Sequence, residues 1–120
     1  MGEAKGRVFL IHWNAGEVEG YAEKIRGWGW AVETEAEDGA RGGKAIIMNP
    51  PQAVVIYLTR LPSHGRETAH YLKERKSTRD IPVIFVGGEA DKIEAVRAKV
   101  PGGVYVEEED LRETLEGFRG

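Results

Sequence analysis

Apolar and polar positions along the chain form two kinds of stretch that take turns. Arg7–Trp13 (RVFLIHW), Ala53–Leu58 (AVVIYL) and Ile81–Val86 (IPVIFV) are short, nearly unbroken apolar runs. Runs of this length predict strands buried on both faces. Trp30–Ala36 (WAVETEA) alternates apolar with polar, as a strand near a sheet edge does. Gly103–Val106 (GVYV) is a fifth, short strand.

Helical patterns fill the gaps. Asn14 with Glu17 at the third helical position is a variant capping box. Val18, Tyr21, Ala22, Ile25 and Trp28 then share one stripe, and Gly29 suits a left-handed stop. Asp38–Gly39 opens a weaker helix whose inner face would be Ala40, Gly43 and Ile47. Its Gly42–Gly43 pair costs roughly 1 kcal/mol per glycine relative to alanine, and Asn49–Pro50–Pro51 ends it. Ser63 is read as the cap of a third helix reaching about Lys76. Glu89–Val100 places Ile93, Val96 and Val100 inward, and a closing helix over Glu107–Arg119 places Leu111, Leu115 and Phe118 inward.

Strand–helix alternation with short connections requires parallel pairing and right-handed crossovers. The expectation is a single α/β domain over residues 1–120. Its fold would be flavodoxin-like, with three layers and a five-stranded parallel sheet of order 2-1-3-4-5 flanked by five helices. The long apolar strands belong in the middle and the alternating strand at an edge.

Composition narrows the function classes. Hydrophobic residues at 41% and charged residues at 31% describe a globular chain of 120 residues, long enough for one real core. A net charge of −3 gives no electrostatic reason to expect nucleic acid. No apolar stretch approaches the ~20 residues that span a bilayer. The start, MGEAKGR, lacks the apolar segment of a signal peptide, and the chain has no cysteine, which excludes disulfides and thiolate metal sites. No membrane association and a cytoplasmic location are the natural expectations.

Four stretches together resemble the response-regulator receiver domain. "RGWGWAVETEAEDGARGGKAI" is similar to the family's glycine-aromatic entry to strand 2 and the Asp-Gly turn after it. "PQAVVIYLTRLPSHGRE" is similar to its third strand and Leu-Pro loop, "TRDIPVIFVGG" to its fourth strand, and "PGGVYV" to its fifth. The resemblance implies a phosphate-accepting Asp at the end of strand 3, acidic magnesium ligands just after strand 1, a Thr or Ser after strand 4 and a Lys after strand 5. This chain departs at each place. His12–Trp13–Asn14 stand where the acids should be, and Tyr57 or Leu58 at the acceptor. Gly87–Gly88 follow strand 4, and Glu107–Glu108 stand where the lysine should be. Magnesium prefers carboxylate oxygens and water, so His-Trp-Asn is a poor substitute. The resemblance therefore points to a pseudo-receiver: a signalling module that is not an enzyme, needs no cofactor and works without phosphorylation.

The C-terminal edge of the sheet gathers the remaining candidates: His12, Trp13, Asn14, Tyr57, Thr59, Arg60, Ser63, His64, Gly88 and Glu89. One reading makes them a pocket, with Arg60 and His64 binding a small anion and Ser63 and helix amides donating. The plainer reading makes Asn14 and Ser63 caps, and Arg60 and His64 solvated loop residues. Zinc catalysis wants three converging protein ligands, and of His12, His64 and His70 only two could converge. Ser63 beside His64 lacks a nucleophile elbow. The glycines before "GEADK" fit neither GxGxxG nor GxxxxGK[ST].

The one basic patch, Lys73, Arg75, Lys76 and Arg79, suits a helix C-terminus. The acidic Glu107–Asp110 suits a helix N-terminus or a basic partner. Trp28 and Trp30 flank a turn, so one should face outward, where an indole can anchor a partner. By resemblance, Lys92–Arg119 with Tyr105 is a second contact face. A protein partner or self-association is therefore the leading expectation. The alternative is a small-molecule or anion sensor built on His12, Arg60 and His64.

Overall fold

Alternate side chains of the central strands go to opposite faces of one sheet, and two cores result. Val8, Leu10, Ala53, Val55, Tyr57, Ile84 and Val86 pack on one face. Phe9, Ile11, Val54, Ile56, Val83 and Phe85 pack on the other. The computed structural model describes residues 4–119. The strands are β1 (Arg7–Ile11), β2 (Ala31–Glu35), β3 (Ala53–Tyr57), β4 (Val83–Val86) and β5 (Val104–Val106). The helices are α1 (Ala15–Gly27), α2 (Gly39–Met48), α3 (Pro62–Glu74), α4 (Ala90–Lys99) and α5 (Leu111–Glu116), with a short 3-10 turn at Glu108–Asp110 before α5.

The sheet is parallel throughout, in the order β2-β1-β3-β4-β5. The expected topology is therefore the one observed, with alternating β2 at one edge. β1, β3 and β4 occupy the centre because their residues are apolar on both sides, as parallel strands covered by helices must be. Val18, Ala22 and Ile25 of α1 and Leu111 and Leu115 of α5 cover the first face. Ile46 of α2, Ala69 and Leu72 of α3 and Val96 of α4 cover the second. Trp30 is buried and Trp28 half-buried beside Arg112, 6.0 Å from the ring, so the more exposed of the two indoles is Trp28.

Two local expectations are corrected. The buried face of α2 is Gly42, Gly43 and Ile46, whereas Ala40 is exposed and Ile47 half-buried. The glycines turn inward because neighbours stand over them. A Cβ would lie 3.2 Å from the Glu35 side chain at Gly42 and 3.1 Å from the Tyr71 ring at Gly43. Close approach decides the orientation that hydropathy cannot register. Ser63 is not a cap. Leu61 holds that position with φ 42° and ψ 60° and gives no side-chain cap bond, while Pro62 starts the helix with a preset φ. Ser63 lies exposed in the first turn.

Gly103 marks where β5 meets the core. A Cβ there would fall 2.5 Å from Cε2 of Phe85, a buried ring stacked on Tyr105 at 4.9 Å. Gly103→Ala is expected to cost about 2 kcal/mol through overpacking. Urea unfolding should show a lower midpoint at unchanged slope.

Candidate functional site

The C-terminal edge of a parallel sheet is where such folds place their chemistry. Here β1 runs into His12–Trp13–Asn14. Asn14 caps α1, its Oδ1 accepting from the Gly16 amide at 2.9 Å. In a capping box Glu17 would return to the Asn14 amide, but that amide already donates to the His12 carbonyl at 2.7 Å. Glu17 is thereby released for another partner. Its Oε1 accepts from His12 Nε2 at 2.9 Å, and Arg60 holds it with Nη2 at 2.7 Å from Oε2 and Nε at 3.3 Å from Oε1.

Arg60 first, and His12 second, hold the Glu17 carboxyl at about 2, well below its ordinary value. An ionised carboxylate only accepts, so Nε2 carries the His12 proton. His12 is fully buried, with Tyr21 at 4.8 Å and Tyr57 at 5.3 Å between ring centroids. Three connected segments (the end of β1, the start of α1 and the β3–α3 loop) are tied by one carboxylate.

Tyr57 ends β3 with its ring buried on the α1 face. Burial, and next the Glu108 carboxylate nearby, push its phenol up, although among the described residues no group meets the phenol oxygen in hydrogen-bonding geometry. Glu108 itself accepts from Lys24 Nζ at 2.5 Å. The loop after β5 thus presents a carboxylate, not an ammonium, and α1 neutralises it.

Leu58 points the other way, into the α3 and α4 core, and is 2% exposed. The β4–α4 loop closes over it. Gly87 and Gly88 adopt φ of 69° and 99°, and a Cβ on Gly88 would lie 2.9 Å from Cβ of Leu58. Only glycine combines that backbone with that approach. Thr59 and Glu89 are exposed, and a Cβ on Gly87 would lie 3.2 Å from Cγ2 of Thr59.

The residues present do not fit a magnesium ion. Both Glu17 oxygens are engaged, and among the described residues no three His, Asp or Glu groups converge to hold a metal. Whichever of Tyr57 and Leu58 marks the acceptor position, it offers no carboxylate, and the space beside Leu58 is filled.

The expected corner of His12, Arg60 and His64 is divided by the sheet. His12 and Arg60 meet at Glu17 on the α1 side. Trp13 faces the α2–α4 side, and exposed His64 leans on its indole at 5.8 Å. Sequence reading missed Glu17 as the bridge, because its capping position already gave it a role. It also missed Glu35, a buried carboxylate at the end of β2. Arg41 grips Glu35 through two 2.8 Å bonds, and the Glu37 and Asp38 amides donate to it at 3.0 Å. Arg41, and then the two amides, hold its carboxyl at about 2.

In sequence, no protein-family model and no curated protein matches the chain. In structure, many do. The receiver domain of a sensor histidine kinase from Pseudomonas aeruginosa, solved with magnesium in its active-site cleft, superposes with a TM-score of 0.74 at 18% identity. That match covers 94% of this chain and 96% of that one. A two-component response regulator of the LuxR family from Aurantimonas gives 0.73 at 20% identity, over 95% of this chain and 87% of that chain. A chemotaxis response regulator of Vibrio cholerae gives 0.75 at 16%, over 98% and 99%. The chain therefore has the fold of response-regulator receiver domains over nearly its whole length.

Proposed function

We propose that this chain is a pseudo-receiver: a phosphorylation-independent signalling module that acts through protein–protein contacts and catalyses nothing itself. One observation carries the reading. At the edge where a receiver would seat a metal and an acyl phosphate, Leu58 and Gly88 fill the space, and Arg60 and His12 consume the nearest carboxylate, Glu17.

The Arg60–Glu17–His12 tie gives this scaffold a way to do without the cation. A guanidinium fixed to a carboxylate by two N–H bonds joins the same loops that a bridging metal would join. It needs no bound cation to do so, and it engages the carboxylate nearest the edge. Glu108 stands beside Tyr57 with Lys24 as its partner, so this place offers no free ammonium to pair with a phosphoryl group. A receiver fold with a fixed edge retains its outer surfaces as functional parts. Half-buried Trp28 and the Tyr105 face are the places for a partner, or a second copy, to dock. Anion sensing at the edge is less favoured, because Arg60 is already neutralised.

Incubation with acetyl phosphate and magnesium, followed by intact-mass measurement, tests the reading. No phosphoryl adduct and unchanged sedimentation are expected. An adduct, or association that appears only after phosphodonor treatment, would contradict it.

A further inference from the structure

Between α2 and α3 lies a groove of about 480 Å³, lined by Trp13, Lys44, His64, Glu67, Thr68 and Tyr71. That size falls within the ~300–1,000 Å³ usual for small-molecule sites. Its surface is mainly apolar and holds three rings. Trp13 is 7% exposed, His64 leans against it, and Tyr71 is 44% exposed.

The charges around it are unequal. Glu67 is engaged by Lys99 at 3.3 Å and by Arg66 at 3.4 Å, and Lys99 first of all holds its carboxyl below the usual range. Lys44 makes no ion pair or hydrogen bond among the described residues. The groove therefore offers one unneutralised ammonium next to aromatic surface.

Glycines let the α2 wall come close to α3 at the floor of the groove. A Cβ at Gly39 would lie 2.8 Å from Thr68 Oγ1 and 3.6 Å from the Trp13 ring, and one at Gly43 would press on Tyr71. The missing side chains let α2 approach α3 while the rings stay at the opening.

We infer that this groove binds a small planar aromatic acid. Its ring lies on Trp13 between His64 and Tyr71, and its acidic group pairs with Lys44. Ring faces and edges favour an aromatic over an aliphatic ligand of equal size, and a charge-assisted bond to ammonium selects the acid over the amine. Trp13 faces away from Glu17 and Arg60, so this inference stands whether or not phosphoryl chemistry is lost at the sheet edge.

The test is an amide NMR titration of the isotope-labelled full chain with indoleacetate, indole and tryptamine. Indoleacetate is expected to shift the Trp13 indole N–H and the amides of Gly39, Gly43 and Thr68, and to bind about tenfold more tightly than tryptamine. Lys44→Glu, an exposed change, should reverse that order, and His64→Ala should weaken all three probes. Equal binding of acid and amine, shifts confined to other surfaces, or no shifts with any probe would each overturn the inference. An acid preference that survives Lys44→Glu would do so too, because a group other than Lys44 would then be pairing with the acid.

Discussion

Leu58→Asp is expected to destabilise the fold by about 3 kcal/mol at neutral pH and to restore no phosphoryl acceptance. The side chain is 2% exposed and packs among α3 and α4 residues, beneath the Gly88 backbone. A carboxylate introduced there loses its hydration and finds no cation, since Arg60 is bound to Glu17. Burying an uncompensated charge costs about 3–5 kcal/mol, and the lower end applies because part of the population will protonate instead. The sign of the pH dependence follows. A carboxyl whose folded pKa lies above its unfolded value is tolerated below about pH 4 and becomes costly above it. The deficit against wild type should therefore widen as pH rises, which urea unfolding across pH 3–7 would reveal. A variant as stable as wild type, or one that accepts phosphate, would show an open and polar edge instead.

The second large effect lies at Glu35. Glu35→Ala removes the partner of Arg41 and leaves the Glu37 and Asp38 amides without their acceptor, so a loss of about 2 kcal/mol is expected. Much of Arg41 is exposed to water, which limits the ion-pair share. The carboxyl is held at about 2, below its ordinary 4.5, so its contribution is complete above about pH 4.5 and lost as pH falls toward 2. Glu17 is lowered to about 2 as well and acts in the same window. Wild type should therefore weaken in acid over that range, and Glu35→Ala should weaken less steeply. Parallel acid profiles for the two proteins would mean that Glu35 contributes nothing through ionisation.

The strand order was legible because hydropathy reports burial directly. β1, β3 and β4 are apolar on both faces, β2 is not, and only a central and an edge placement satisfy that contrast. The helix faces were legible where bulky residues mark them, as in α1 and α5. α2 was not, because glycine carries no hydropathy signal and its orientation is set by the Glu35 and Tyr71 side chains above it.

Charged partners were harder still. Glu17 and Arg60 lie 43 positions apart, and no periodicity joins them. Glu35 reads as the polar side of an edge strand until α2 covers it. That His12–Asn14 and Tyr57–Arg60 contain no Asp or Glu could be read from residue identities alone. That Leu58 and Gly88 close the same place required coordinates, as did the division of His12 and His64 between the two faces.

Amide NMR with magnesium and beryllofluoride tests the central claim most directly. A sealed, self-neutralised edge predicts that His12–Asn14, Tyr57–Arg60 and Gly87–Glu89 keep their resonances as both are added. Saturable shifts centred on Leu58 and Gly88 would contradict it.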